Sequence, residues 1–378
     1  MIDLRQLSSR KAFLVALDED DSLDVPGSLE EMSLLLGNLG ITTTGISIQR
    51  RSRPDPGSFI GSGKAELVGA EARDLGAGLI VVNGSLSPGQ AAALGRLTGL
   101  AVWDRPLVIM KIFEDRAQTG EAKLQIELAR CRYEIPFIKG LGLQMSRPGG
   151  GVGTRGPGET EFERHRRKLE RRIRGEINRK IEAIRERRKD QRKHRIRAGL
   201  ATVALTGYTN SGKSTLLRRL SGDSDLPVAD KLFSTLDPFI RRVRLPGGDP
   251  ALFADTVGFI RDLPPDLVTA FRATLEEVAA ADLVILVADP SSGRYEKDVE
   301  VVEEVLASIG AGTVPRIIAL NKIDRLDPET VEPIRALAGR SGDRVVPISA
   351  LRGDKIPELL SVVEEMLSMS RGKECASC

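Results

Sequence analysis

Residues 207–214, Gly-Tyr-Thr-Asn-Ser-Gly-Lys-Ser, have the spacing G-x-x-x-x-G-K-S between a strand-like apolar run and the helical TLLRRL. Such a run holds phosphate. Gly207 and Gly212 let backbone N–H groups converge on the oxygens, and Asn210, Ser211 and Thr215 share that cradle. Lys213 reaches the β- and γ-phosphates, and the Ser214 hydroxyl takes Mg²⁺. Downstream, FADTVGF closes an apolar run with Asp255-Thr256-Val257-Gly258. This sets a carboxylate near the metal and turns the Gly258 amide towards the γ-phosphate. Between the two, KLFSTLDP supplies Thr235 as the switch threonine for the metal. Lys213, Thr235 and Gly258 are thus the groups expected to act on the transferred phosphoryl group. RIIALNKID ends another apolar run with Asn321-Lys322-Ile323-Asp324. The spacing N-K-x-D reads guanine. The Asp324 carboxylate accepts from the ring N–H and the exocyclic amine, whereas adenine has an acceptor at that ring position and lacks that amine. Ser349-Ala350 in VVPISALRG adds a backbone contact to the base.

Any one of these runs could be a turn or a strand end. In this order, each behind an apolar run, they describe a P-loop GTPase domain over residues 200–370 that binds GTP and GDP with Mg²⁺. Two details shape its chemistry. Phe259 stands where Ras-like GTPases place a glutamine that orients the attacking water. Hydrolysis is therefore expected to be slow until a partner or another group completes the site. Asn210 resembles the asparagine of cation-dependent GTPases, in which K⁺ supplements charge stabilisation, and K⁺ stimulation is the corresponding expectation.

Two other glycine runs fail the same test. In Gly61-Ser62-Gly63-Lys64, position 58 is Ser and position 65 is Ala, so the loop spacing is wrong and the metal-binding hydroxyl is missing. It reads as a glycine turn that starts a helix. Gly151-Val152-Gly153-Thr154-Arg155-Gly156 is a literal G-x-G-x-x-G, but a dinucleotide fingerprint needs a strand before it inside a βαβ unit. Residues 136–148 are no buried strand, and Thr160-Glu161-Phe162-Glu163 is a capping box that explains the helix start locally. Residues 149–158 read as a loop joining two helices.

The elements that must position the site follow from periodicity. In residues 1–115, the buried-strand runs AFLVAL (12–17) and GLIVVNG (78–84) alternate with the helical SLEEMSLLLGNLG (28–40) and SPGQAAALGRL (87–97). This is the pattern of a parallel α/β domain. Residues 116–199 read as a long helical hairpin, one helix striped by Ala117, Leu124, Leu128, Cys131 and Ile135, the other by Leu169, Ile173, Ile177, Ile181 and Ile184. The fold class is thus α/β, a P-loop GTPase domain behind an N-terminal parallel α/β domain and a helical-hairpin linker. The second helix, over 160–198, is strongly basic. From Phe162 to Ala198, 17 Lys and Arg stand against 6 Asp and Glu, in a chain whose net charge is only +3. One-signed charge on a long element suits a polyanion such as RNA, and the lack of interleaved aromatics points to phosphate and shape rather than base sequence.

At 41% hydrophobic and 29% charged the composition is globular. Three cysteines, Cys131, Cys375 and Cys378, are too few for a disulfide framework, and residues 371–378 read as a disordered tail. No signal-peptide core or membrane span is apparent, so a cytoplasmic protein is expected. The sequence leaves the oligomeric state open.

The chain resembles the HflX family of ribosome-associated GTPases over nearly its whole length. RPDPGSFIGSGKAELV is similar to the family's N-terminal signature and GTRGPGETEFE to its glycine-rich linker. GYTNSGKSTL, FSTLDP, DTVGFIRDLP and NKID are similar to its GTPase motifs. The resemblance implies binding to the large ribosomal subunit, GTPase stimulation there, and a role in splitting or rescuing stalled ribosomes. Two alternatives stand beside it: a ribosome-assembly GTPase, and an RNA remodeller using ATP at the N-terminal domain. Some family members carry a further C-terminal domain, whereas only about eight residues follow the last expected helix here.

Overall fold

The computed structural model describes residues 9–19, 24–145, 157–223, 233, 239–261, 267, 277–338 and 343–375. They fall into two compact units. One gathers the residues up to Asp115 with Leu124–Lys180, the other Arg116–Lys123 with most of the chain from Ile181 onward.

The first unit is built on four parallel strands in the order β2-β1-β3-β4. These are β1 (Lys11–Asp18), β2 (Thr42–Arg50), β3 (Leu79–Val82) and β4 (Ala101–Asp104). The continuous apolar runs of β1 and β3 are buried on both faces, as a helix-covered parallel sheet requires. Helices α1 (Val25–Asn38), α2 (Ser62–Asp74), α3 (Pro88–Thr98) and α4 (Arg105–Arg116) connect or follow the strands. Local chemistry sets their ends. Asp24 accepts from the Gly27 amide at the start of α1, and Ser87 and Gln90 form a reciprocal capping box at the start of α3. The Gly61 turn does start a helix: Gly61, at φ +74°, precedes α2. Sequence periodicity misses β2 because TTTGISIQR contains no apolar run. It is an edge strand with Ile46 and Ile48 exposed.

Arg105 is buried and donates to Glu31 at 2.9 Å and to Asn83 at 3.0 Å. Removing one partner of a buried ion pair strands the other charge. Glu31→Ala should therefore destabilise this unit by about 3–5 kcal/mol, measured as a lower urea midpoint followed by a probe on Trp103.

The helical region consists of α5 (Gly120–Met145), α6 (Pro157–Arg172), a π-helical turn at Ile173–Ile177 and α7 (Asn178–Arg197). It departs from the sequence reading in three ways. Helix α5 runs through Pro136, past Ile135, the last residue of its expected stripe. Helix α6 starts at Pro157, so Thr160 lies inside it rather than capping it; proline suits a first helical position because its missing N–H has no intrahelical partner there. Gly175 sits in the π-turn, and the helix is locally widened around it. Residues 149–156 of the glycine loop lie outside the described residues. Leu128, Cys131, Leu169, Ile177 and Ile181 of the expected stripes are buried. Arg172 pairs with Glu127 in the first unit, and Arg188 with Glu121 in the second.

The second unit holds a six-stranded sheet in the order β10-β9-β8-β5-β7-β6. The strands are β5 (Ala201–Thr206), β6 (Phe239–Arg244), β7 (Pro250–Asp255), β8 (Leu283–Ala288), β9 (Arg316–Leu320) and β10 (Arg344–Pro347). All pairings are parallel except β6 with β7. Helices α8 (Lys213–Ser221) and α11 (Ile356–Cys375) contribute to one apolar core, through Leu216, Leu217, Leu359, Val363 and Leu367. Helix α9 (Tyr295–Ser308) contributes Val302 and Leu306 to the other, and Ile334 of α10 (Pro328–Ala338) packs against it. Helix α11 continues past residue 370 to Cys375. Buried Glu277 accepts from Arg195 of α7 at 3.1 Å, with Arg192 at 3.9 Å. No described helix is long and apolar enough to cross a membrane.

Candidate active site

In a parallel α/β sheet the strand C-termini open onto one edge, where loops meet. Strands β5, β7, β8 and β9 deliver four loops there. The loop after β5 turns tightly into α8 with Gly207 at φ +146°, Asn210 at +60° and Gly212 at +98°. A Cβ at Gly207 would lie 2.2 Å from the Val287 carbonyl oxygen, and one at Gly212 would lie 2.2 Å from Asn321 Nδ2. These two positions require glycine on steric grounds as well as for φ.

Lys213 is buried and donates to the carbonyls of Gly207 at 3.1 Å and Tyr208 at 2.8 Å. Its amine thus straps the loop from inside. Burial lowers its pKa to about 8, with Lys322 adding to the shift and Asp255 opposing it. An ammonium held against its tendency to lose charge is poised for an anion. Ser214 donates to Asp255 Oδ2 at 2.6 Å, and Asp255 is fully buried at the end of β7. A hydroxyl and a carboxylate in contact beside a phosphate cradle form a hard-oxygen donor set of the kind Mg²⁺ takes.

Residues 255–260 lie along the phosphate loop. The Phe259 amide donates to Gly207 at 3.1 Å, and its carbonyl accepts from the Thr209 amide at 2.8 Å. A Cβ at Gly258 would come within 2.9 Å of Lys213 Nζ and 3.0 Å of Thr209 Cα. The Phe259 side chain belongs to the buried core with Val278, Leu286 and Val302. The Tyr208 hydroxyl accepts from the Arg261 amide at 3.0 Å.

The run Asn321–Asp324, expected to read guanine, divides by contact. Asn321 is buried and donates to the Ser211 carbonyl at 2.8 Å, while its side-chain oxygen accepts from the Ala350 amide at 2.9 Å. Lys322, at φ +65°, donates to the Asn210 carbonyl at 2.7 Å and pairs with Asp289 at 2.6 Å. Both residues tie the base side of the site to the phosphate loop. Asp324 accepts from the Ser349 hydroxyl at 2.6 Å, which orients its carboxylate. Gly207, Asn210, Ser211, Gly212, Lys213, Ser214, Asp255, Gly258, Asn321, Lys322, Asp324, Ser349 and Ala350 are joined by these contacts, with Thr215 in the first turn of α8. Thr235 lies outside the described residues. Sequence reasoning missed Asp289 as the partner of Lys322; its position directly after the all-buried strand β8 was the available signal.

Known proteins place the chain among GTPases. The family model described as GTP-binding GTPase N-terminal matches residues 27–114, and that described as GTP-binding GTPase Middle Region matches 116–195. The model described as 50S ribosome-binding GTPase matches 202–322. GTPase HflX of Lacrimispora saccharolytica is 40% identical over 367 residues, covering 97% of this chain and 85% of the relative. GTPase HflX of Escherichia coli is 39% identical over 90% of this chain and 79% of its own. Among solved structures, the crystal structure of SsGBP in complex with GDP is similar over 95% of this chain and 99% of its own, at 25% identity and a TM-score of 0.52.

Proposed function

The chain belongs to the HflX family of GTPases, and on that premise we propose that it acts on the large ribosomal subunit, splitting or rescuing stalled ribosomes, with hydrolysis stimulated there. The carrying observation is the excess of positive charge along α6, the π-turn and α7, 17 Lys and Arg against 6 Asp and Glu from Phe162 to Ala198. Arg171, Arg174, Arg179, Lys180 and Arg187 are all exposed there. Positive charge on a single long element matches the phosphate backbone of structured RNA. The working segments are residues 1–115 as N-terminal domain, 116–199 as RNA-contacting linker and 200–370 as GTPase domain.

Within the GTPase domain, Lys213 and the loop amides bind the β- and γ-phosphates, and Asp324 with the Ser349-Ala350 turn reads guanine. Ser214, Asp255 and Thr235 hold Mg²⁺, which supplies neutralisation of phosphate charge. Gly258 presents its amide to the γ-phosphate. Loss of that phosphate removes the partner of the Gly258 amide. Phe259 packs into the core and cannot orient the water, so the ribosome or another group completes the site. Asn210 in the phosphate loop supports a K⁺ requirement.

GTP turnover with and without purified large ribosomal subunits, in K⁺ and in Na⁺ buffers, tests this reading. Strong stimulation by subunits that is greater in K⁺ is the expected result. Turnover indifferent to subunits would remove the ribosome from the mechanism, and equal rates in both salts would remove K⁺. Charge-neutralising variants at Arg171 and Arg174 should weaken subunit binding and flatten its dependence on salt. Arg172 is a poorer probe because its pairing with Glu127 ties α6 to α5, whereas the pairing of Arg174 with Glu170 stays within α6 and the π-turn.

A further inference from the structure

The turn that follows β10 is held from two sides. On the sheet side, Asn321 takes the Ala350 amide at 2.9 Å, and the Ser349 hydroxyl reaches Asp324 at 2.6 Å. Inside the turn, the Arg352 amide donates to Ser349 Oγ at 3.0 Å and the Gly353 amide to the Ser349 carbonyl at 2.7 Å. Two consecutive carbonyls, those of Ala350 and Leu351, accept from one side chain on α8. Arg219 Nε donates to Ala350 at 3.2 Å, and its terminal nitrogen donates to Leu351. Gly353, at φ +92°, lies beside the same guanidinium, with its Cβ position 3.7 Å from Arg219 Cζ.

Arg219 is six residues beyond Lys213 on one short helix, a rise of about 9 Å at 1.5 Å per residue. The first turn of α8 carries Lys213 and Ser214. Its last turns carry the fork that holds the base-reading turn. We propose that Arg219 is a positioning residue for guanine recognition. It fixes the Ser349–Leu351 turn, and through Ser349 the Asp324 carboxylate, at a set distance from the phosphate loop. This rests on the nucleotide site proposed above. An arginine suits the task because its planar fork spans two neighbouring carbonyls, which a single ammonium on a flexible stem cannot do. The competing explanation is a plain helix-to-loop tie that contributes to stability without affecting base selection.

Equilibrium binding of GDP and of inosine diphosphate to the full chain separates the two. Inosine lacks the exocyclic amine that Asp324 is placed to accept from, so the preference for GDP reports the alignment of that carboxylate. Because Arg219 is exposed, its hydrogen bonds are worth a modest amount. Arg219→Ala should weaken GDP binding about 3- to 10-fold, weaken inosine diphosphate less, and so narrow the preference. Arg219→Lys should recover only a minor part of the loss. The melting temperature of either variant without nucleotide should stay within about 2 °C of the parent. Unchanged GDP affinity, an equal loss for both diphosphates, or full rescue by lysine would overturn the proposal. A parent chain that fails to prefer GDP over ADP would instead overturn the nucleotide-site reading.

Discussion

Lys213→Ala should abolish GTP turnover and weaken GDP binding by ~10²–10³-fold, because a desolvated donor aimed at a charged ligand is lost. Two losses combine. The phosphates lose a cation that sits in a buried pocket, where its attraction is poorly screened. The loop also loses the amine that bridges the carbonyls of Gly207 and Tyr208. The nucleotide-free protein should behave differently. Burial holds the folded-state pKa at about 8 against the ordinary 10.5, so the charged form opposes folding at pH 7 by roughly 3 kcal/mol. The sign follows from proton counts. Between those two values the unfolded chain binds more protons than the folded one, so the contribution of this residue to stability rises with pH across that window and is least favourable below it. Alanine removes that penalty at the cost of two hydrogen bonds of about 1 kcal/mol each. The variant should therefore melt within a few degrees of the parent and lose its thermal shift on adding GDP. A variant that still shows the full shift with GDP would remove Lys213 from the phosphate site.

Asp324→Asn should carry the second largest effect, and it should change selectivity rather than merely reduce affinity. The carboxylate can accept from both the ring N–H and the exocyclic amine of guanine. An amide keeps one acceptor and replaces the other with a donor, which then faces the guanine amine. Hydrogen bonds to a charged group are worth about 1.5–3 kcal/mol each, so losing the one to the amine and setting a donor against it costs GDP ~10²–10⁴-fold. Xanthine carries a carbonyl where guanine carries the amine, so the new donor finds a partner there. The Ser349 hydroxyl, 2.6 Å from Asp324 Oδ1, can still donate to the asparagine oxygen, so the side chain keeps its orientation. Competition of GDP and xanthosine diphosphate for the variant measures the exchange. Retention of GDP affinity within a factor of about three would show that Asp324 does not read the base.

Both predictions were legible before the fold was known, and the reason is local geometry. A phosphate cradle needs positive-φ glycines, a lysine and a hydroxyl within eight consecutive residues, and a guanine acceptor needs one carboxylate behind a strand. Such short-range requirements leave a mark in the linear order. The strands β1 and β3 were legible for a similar reason, since burial on both faces demands an unbroken apolar run. The edge strand β2 was not, because one side of it meets solvent and its residues record no single period. The start of α6 was misplaced where Thr160 was taken as a cap, and α5 runs on beyond its expected apolar stripe.

What the order of residues could not contain is the set of ties between segments far apart in the chain. Asn321 and Lys322 were read as base contacts, and the structure also makes them straps onto the carbonyls of Ser211 and Asn210. Phe259 was known to be unable to orient water. Only packing decided that its ring joins the core with Val278 and Leu286 while its backbone pairs with the phosphate loop. Arg219 carried no motif at all, because its partners are main-chain carbonyls 131 and 132 residues away. Backbone oxygens are the same in every residue, so the sequence of Ala350 and Leu351 cannot announce that they will accept. By itself the sequence determined the chemistry each motif could perform. The tertiary structure decided which groups hold those motifs in register, since that depends on through-space distances that no spacing along the chain encodes.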